Sequence, residues 1–468
     1  MNAATNGKPN DRNFIARFRI WAWPLVFLHL IAACAWWRPD ASTALSSESF
    51  VALKQRVALI RGLPFKREVS RDDKIASATD SSSEKDFDDE YNAQSIARLS
   101  QVYKRIGLLP NSTDLGKALI DFQRLQRITF YDGRAEAIVI APESLRLARA
   151  LAGDNALAAE TIPAVFALTQ ALQEQNFQWS SKLKLISSED RKLAFHAVAQ
   201  GDVVLMGLAH LRGNRPAIWP EQQQAIGRLT NELDRMASGL PPLLREKLVF
   251  PYRQGSQFVQ WAYASRGLEG INALFANPPL SSAQILHPEK FFIQRQNPLR
   301  IVAWGLVQEM KESAVVEQTL GEYLTQLVLA SSHSRAEATR IASGWAGDHL
   351  SAYAEGKNLI TGWISAWDNE TSAQEFSRAF ETVLARRHSL RFETPAGQKN
   401  NLKADLGGER STLLQVRGPL VLFLDGIATA RASELAERIW QDLETGTESP
   451  VVPFDSAKSG RQLASRRR

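Results

Sequence analysis

Two segments with helical patterns carry side chains that could bind a ligand or react with one. They contain Gln170, Gln173 and Gln175 within Val165–Phe177 (VFALTQALQEQNF), and His196, Gln200 and Asp202 further along the chain. Amide side chains both donate and accept hydrogen bonds, so glutamines along one groove could hold a peptide backbone without cutting it. Glutamine is also a good helix former on a solvated face, so a purely structural role stays open.

Val165–Phe177 resembles the helix of a zinc peptidase, yet no residue in its first half could hold a metal ion. In a His-Glu-x-x-His helix the two histidines lie one turn apart and ligate zinc, while the glutamate polarises the attacking water. A third ligand on a later helix completes the site and leaves one position open for that water. The chemistry therefore depends on the side chains and not on the spacing alone.

The chain resembles a group of bacterial zinc-peptidase-like proteins with a helix of the form Ala-His-Glu-Leu-x-His-Ala-Leu-Gln-Asp-Gln-x-Phe and a later helix with Glu-Gly-Asp. The matching residues are Leu168, Ala171 to Gln173, Gln175, Phe177, Gly201 and Asp202. Other segments similar to the family's are Arg61–Phe65, Tyr103–Pro110, Phe130–Asp132, Pro251–Phe258, Asn277–Lys290, Leu320–Tyr323 and Gly344–Asp348. The resemblance extends over roughly residues 60 to 390 and implies a zincin-like fold.

By this resemblance, the metal-binding positions are all replaced. Phe166 and Gln170 stand where the family has its two histidines, Ala167 stands at the general-base glutamate, and Gln200 stands at the third ligand. Phenylalanine and alanine offer no donor atom, and glutamine is a poor zinc ligand. The resemblance therefore implies a degenerate member with no catalytic residues, no metal and no cofactor, in which Phe166 fills the space of the lost site.

Histidines elsewhere leave an alternative open. His196 precedes Gln200 by one helical turn, and His287 lies in Leu286-His-Pro-Glu289. A non-standard metal site with either histidine would make the chain an active hydrolase, and a hydrolase with chemistry unrelated to zinc is the second form of this alternative. His287 is more simply read as bracing the loop beside Pro288. The candidates for lining the former cleft are Gln173, His196, Asp202 and His287.

Val165–Phe177 also fits an ordinary core helix. An apolar stripe at helical spacing follows the helix-start signal Thr161–Pro163. Its residues are Ile162, Val165, Phe166, Thr169 and Leu172. This interpretation is compatible with a lost site, because a packed stripe can contain Phe166.

The N-terminal segment predicts a membrane anchor. Residues 20–37 carry no formal charge and would span roughly 27 Å as a helix. Lys8, Arg12, Arg17 and Arg19 precede it, which by the positive-inside rule places residues 1–19 in the cytoplasm. We expect a single-pass protein of the bacterial inner membrane, with its body outside the cytoplasm.

Cys34 supports a second interpretation of the same segment. Ile31-Ala-Ala-Cys34 is similar to the lipobox of bacterial lipoproteins, in which the cysteine is acylated and the preceding segment removed. Cys34 is also the single cysteine, so no disulfide is expected. A plain cleaved signal is the third possibility, and all three place the body outside the cytoplasm.

The fold class predicted from the patterns is mainly α (α+β), with two short β-hairpins. The hairpins are expected at residues 128–142 and 411–425, and residues 143–390 are expected to be almost entirely helical. The predicted segments are a linker and helix at 38–60, a peptidase-like domain at 61–390 with a mobile loop at 66–90, a hairpin and helix at 391–445, and a basic disordered tail at 446–468.

The charge balance limits the classes of molecule that the chain is expected to bind. The formal net charge is +6, with acidic and basic residues interleaved almost everywhere, so nucleic-acid binding is not indicated. The expected function is a membrane-anchored pseudoenzyme that binds peptide or protein. An active hydrolase and a structural envelope protein remain the alternatives.

Overall fold

A computed structural model describes residues 47–71, 92–213, 219–310, 313–356, 358–395 and 400–448. The predictions for residues 1–19, for the anchor at 20–37 and for Cys34 lie outside the described residues. The described residues from Leu53 onward form one compact unit, and Ser47–Ala52 at the start of the first helix belong to the other.

Helices precede most of the strands along the chain. The helices are α1 Ser47–Arg61, α2 Ala93–Arg105, α3 Leu115–Gln126, α4 Ser144–Ala152, α5 Ala156–Ala159, α6 Ile162–Phe177, α7 Trp179–Lys184, α8 Glu189–Leu211, α9 Trp219–Met236, α10 Pro242–Ala276, α11 Ser282–Leu286, α12 Glu289–Phe292, α13 Trp304–Met310, α14 Gly321–Ala330, α15 Arg335–Ala342, α16 Glu370–His388 and α17 Ala432–Gln441. The strands are β1 Ser70–Arg71, β2 Thr129–Asp132, β3 Ala137–Ile140, β4 Leu299–Ala303, β5 Val316–Gln318, β6 Trp345–Glu355, β7 Asn358–Trp367, β8 Asn401–Gly407, β9 Arg410–Arg417, β10 Leu420–Ala428 and β11 Leu443–Thr447.

The helical core is built around α8. This helix is apolar on most sides and packs against α6 and α10. It approaches α10 closely, because a Cβ atom added at Gly201 would lie 2.3 Å from the carbonyl oxygen of Gly255. Among the described residues, α8 alone is long and apolar enough to cross a membrane, and 83% of its most apolar window is buried inside the protein.

The strands form three sheets. Their orders are β1-β3-β2, β5-β6-β7-β10-β9-β8 and β11-β4. The six-stranded sheet is antiparallel and covered on both faces. Trp363 belongs to the core shared with α16 and the helical body, whereas its neighbour Ile364 belongs to the core with α13 and α17.

The α+β class is confirmed, and both predicted hairpins are present as β2–β3 and β9–β10. The prediction that residues 143–390 are almost entirely helical is wrong, since they contain β4, β5, β6 and β7. Strands β6 and β7 are buried on both faces, so they lack the polar alternation that marks a half-exposed strand.

Three predicted boundaries also need correction. A boundary at 390 would divide one sheet, because β7 pairs with β10. The mobile loop expected at 66–90 does not include residues 66–71, because Lys66 and Arg67 are hydrogen-bonded and β1 pairs with β3. Residues 72–91 lie outside the described residues. The tail expected from residue 446 begins with the end of β11, and residues 449–468 are likewise not described.

Candidate functional site

Phe166 and Ala167, two of the four positions expected to belong to the lost site, are packed in the protein core. Phe166 is 2% exposed, and a Cβ atom added at Gly207 of α8 would lie 2.5 Å from its ring. Ala167 is fully buried. The absence of a side chain at Gly207 thus provides the space that the Phe166 ring occupies.

Gln170 attaches helix α6 to the first hairpin. Its Oε1 accepts a hydrogen bond from the backbone N–H of Tyr131 at 3.2 Å, and its Nε2 donates to the carbonyl of Thr129 at 3.5 Å. Strand β2 lies at the edge of its sheet, so the Gln170 amide takes the place of a neighbouring strand. Both polar atoms of the Gln170 amide are thus bonded to strand β2, and no hydrogen bond joins Gln170 to Gln200 among the described residues.

Gln175 has a similar role further along α6. Its Oε1 accepts from the backbone N–H groups of Lys66 and Arg67 at 2.8 and 3.1 Å. Its Nε2 donates to the Tyr131 hydroxyl at 3.3 Å. The glutamines expected to hold a foreign peptide backbone therefore hold backbone of this chain itself.

Gln173 and Asp202 lie inside the helical core. Both are 0% exposed, and neither is among the residues that line the cleft described below. Gln173 Nε2 donates to the Ala199 carbonyl at 3.0 Å and to Asp202 Oδ2 at 2.9 Å, and Arg61 Nε donates to the same Oδ2 at 3.0 Å. Gln200 is half-buried, and its Oε1 has no hydrogen-bond partner among the described residues.

His196 belongs to an aromatic cluster. Its ring lies edge-on to Trp179, with centroids 5.7 Å apart. Burial, aided by the charge of Lys247, lowers the pKa of His196 to about 4. The imidazole is therefore neutral near pH 7. The same cluster continues through Phe195 and Phe275 to Phe177, which stacks on Phe275 at 4.6 Å.

His287 joins the turn between α11 and α12 to helix α14. Its Nε2 lies 2.8 Å from Oε1 of Glu322, which is 2% exposed. Burial raises the pKa of the Glu322 carboxyl, and the contact with His287 opposes that rise. This is the bracing contact that the sequence suggested beside Pro288.

No metal cluster is visible in the part of the chain that the structure describes. No group of three or more His, Cys, Asp or Glu side chains there is placed to hold a metal ion. His196 and His287 belong to separate environments, one aromatic and one with a single buried carboxylate.

A cleft with a volume of about 650 Å³ lies between the helical body and the sheets. Its walls come from the α7–α8 connection, the end of α10, the β4–β11 pair and the β5–β6 pair. Its apolar residues are Leu185, Ile186, Phe195, Phe275, Ala276, Pro278, Pro298, Leu299 and Ile301. Phe195 and Phe275 connect it to the aromatic cluster at the end of α6.

Charged groups of both signs line the cleft. Arg191 lies 3.5 Å from Glu448, and burial raises the pKa of this carboxyl while Arg191 lowers it. His349 is also in the wall, and burial lowers its pKa. Asp348 accepts from the backbone N–H groups of Leu320 and Gly321, both at 2.9 Å, so it holds the loop after β5.

Sequence reasoning missed this cleft. The sequence marks Gly344–Asp348 as a motif, but the position of Asp348 in the cleft wall depends on the pairing of β5 with β6. Strand β5 is at the edge of the six-stranded sheet, and Glu317 and Gln318 of that strand line the cleft.

The comparison with protein families covers one part of the chain. A model described as a domain of unknown function, DUF8575, matches residues 308–436. The match begins inside α13 and ends inside α17, so it contains the six-stranded sheet but neither α6 nor α8. No curated protein and no solved structure matches the chain.

Proposed function

We propose that this chain is a membrane-anchored, extracytoplasmic pseudoenzyme with a zinc-peptidase-like fold that binds a peptide or protein segment without cleaving it. The observation that carries the proposal is that the expected ligand positions are in internal use. The Phe166 ring packs on Gly207, and the Gln170 amide is bonded to the backbone of β2. Neither group is available to a metal or to a substrate carbonyl.

The cleft at the border of the helical body supports peptide binding. Its volume is within the range usual for ligand sites, and its lining combines apolar and aromatic side chains with a few charged groups. Strand β5 presents a sheet edge in its wall, and extended peptides commonly add to such edges by main-chain hydrogen bonds. Arg191 and Glu448 would interact with opposite charges on the peptide.

The membrane attachment rests on residues 20–37 and the basic residues before them. An anchor with the body outside the cytoplasm would bring the cleft to exported peptides or envelope proteins. Acylation at Cys34 would hold the body at the same surface.

A peptide-retention assay tests the proposal. The full chain in detergent is incubated with a degenerate peptide library, once with added zinc and once with a chelator. We expect equal retention in both conditions and unchanged masses of the recovered peptides. Cleavage in either condition would show an active hydrolase, which depends on zinc if it occurs only with the added metal. No retention in either condition would favour a structural envelope protein.

A second experiment tests the assignment of the lost site. In the variant with Phe166→His, Ala167→Glu, Gln170→His and Gln200→Glu, zinc should bind if these positions once formed a metal site and the neighbouring residues still orient the ligands. The matched control carries Gln173→His and Gln175→His, which places the same donor type on α6 at other positions. Zinc affinity equal to that of this control would count against the assignment.

A further inference from the structure

Two arginine–aspartate pairs in this molecule use different hydrogen-bond geometries. In the pair on the six-stranded sheet, Arg105 donates from Nε to Asp425 Oδ2 at 2.7 Å and from Nη2 to Oδ1 at 2.6 Å. This is the parallel two-bond arrangement usual for a guanidinium and a carboxylate. We call this pair closed, because Nε and Nη2 of the guanidinium and both oxygens of the carboxylate take part in the two bonds.

The pair in the helical core is open. Arg61 donates from Nε to Asp202 Oδ2 at 3.0 Å, and Nη1 donates to Asn272 Oδ1 at 2.8 Å. Its Nη2 and the second carboxylate oxygen, Asp202 Oδ1, have no partner among the described residues. These two atoms are the ones that form the second bond in the closed pair.

A third unpaired atom belongs to the same group. Gln173 Nε2 donates to Asp202 Oδ2, which is the oxygen already shared with Arg61, while Gln173 Oε1 has no partner. Arg61, Gln173 and Asp202 are each 0% exposed. Buried polar atoms without a hydrogen bond are costly and rare, so three of them in one contact group indicate a bound molecule.

The chemistry of the three atoms selects the ligand. Arg61 Nη2 requires an acceptor, whereas Asp202 Oδ1 and Gln173 Oε1 require donors. The guanidinium disfavours a cation at this position, and the carboxylate disfavours an anion. A water molecule has two donor hydrogens and acceptor lone pairs, and buried waters typically make about three hydrogen bonds.

We propose that a buried water molecule is bound at this position, accepting from Arg61 Nη2 and donating to Asp202 Oδ1 and Gln173 Oε1. It completes the open pair and links the end of α1 to α6 and α8, while Asn272 adds α10 through Arg61. The inference is independent of the proposed function, because it concerns residues that do not line the cleft.

A high-resolution crystal structure of the full chain tests the site directly. We expect electron density for one water within hydrogen-bond distance of all three atoms, and none between Nη2 and Oδ1 of the Arg105–Asp425 pair in the same crystal. Absence of density, or a closed pair with Arg61 Nη2 bonded to Asp202 Oδ1, would overturn the proposal.

Solvent magnetic relaxation dispersion provides the test in solution. The variant Gln173→Met keeps the length of the side chain but removes the acceptor Oε1, together with the Nε2 donor to Ala199 and Asp202. The count of long-lived internal waters should therefore fall by one. Gln126→Met, at an exposed glutamine ending α3, is the matched control and should leave the count unchanged. An unchanged count in a folded Gln173→Met protein would contradict the site, and the crystal experiment stands if that variant does not fold.

Discussion

The α6–α8 helix pair and the cleft at the border of the sheets differ in how their polar groups are used. In the helix pair, Gln170, Gln173 and Gln175 bond to backbone or side chains of this chain, and Phe166 fills the space beside Gly207. In the cleft, charged groups and the edge strand β5 border an open volume. The residues in a motif-like pattern thus stabilise the fold, and the space for a ligand lies where the helical body meets the sheets.

The largest effect on stability is expected at Gly201, which lies where α8 and α10 are in close contact. Gly201→Ala should destabilise the fold by about 4 kcal/mol, because the new Cβ would lie 2.3 Å from the backbone of Gly255 and the two helices must separate. Gly239→Ala is the matched control, since nothing lies within 4 Å of its Cβ position. Urea unfolding of both variants checks this, and equal stabilities would show that α8 and α10 are not in close contact.

Phe166→Ala should destabilise the protein by about 3 to 4 kcal/mol, since it leaves a cavity beside Gly207. Leu59→Ala, at a side chain that is 74% exposed, should change stability by less than about 0.5 kcal/mol. Thermal and urea melts measure both. A small loss for Phe166→Ala would mean that the ring does not fill the expected metal position.

The pH dependence of stability tests the enclosure of His196. Its pKa is lowered from 6.5 to about 4, so the unfolded state binds more protons and stability falls as the pH drops from about 6.5 toward 4. At about 1.4 kcal/mol per pH unit the loss is at most about 3 kcal/mol. His196→Gln should flatten this part of the stability curve relative to the native chain, and an unchanged slope would contradict the enclosure.

Gln170→Ala should cost about 1 kcal/mol, because it removes two hydrogen bonds to the free edge of β2. The exchange of the Tyr131 amide proton should also become faster, which hydrogen exchange measures. Gln126→Ala at an exposed position is the control. Unchanged protection of the Tyr131 amide would contradict the hydrogen bond between Gln170 and strand β2.

A substitution in the cleft should reduce peptide binding and leave the stability of the fold almost unchanged, unlike the substitutions in the helix pair. Leu185 lines it and is 65% exposed, so Leu185→Asp should change stability by less than about 0.5 kcal/mol. Peptide retention should fall about fivefold, which corresponds to about 1 kcal/mol of binding free energy. Leu59→Asp is the matched control outside the cleft, and an equal fall in both variants would contradict binding at this position.

The sequence alone predicts elements formed by neighbouring residues, such as the β2–β3 hairpin. It does not predict strands that are defined by their burial in the folded protein, such as β6 and β7. The β2–β3 hairpin was predictable because β-branched runs flank Asp132 and Gly133. Strands β6 and β7 were missed because Trp345–Trp367 is rich in alanine, glycine, serine and tryptophan, and because burial on both faces removes the alternating pattern.

In the candidate site, too, residue types were predictable from the sequence and long-range contacts were not. The sequence revealed that Phe166 and Ala167 offer no metal ligand, since that follows from residue type alone. It did not reveal that Gln170 bonds to a strand 39 residues earlier, or that Asp202 pairs with Arg61 at a separation of 141 residues. The cleft was also unpredictable, because its walls come from segments between Lys182 and Glu448 that only the complete fold brings together.

Site-specific photocrosslinking tests the central claim most directly. A photoreactive phenylalanine replaces Ile186 in the cleft wall, or Leu59 on α1 as the control, in the full chain expressed in its membrane. We expect crosslinks to peptide or protein segments from Ile186 and not from Leu59, with every captured segment uncleaved at the point of contact. Equal capture at both positions, or capture of freshly cleaved termini at Ile186, would contradict it.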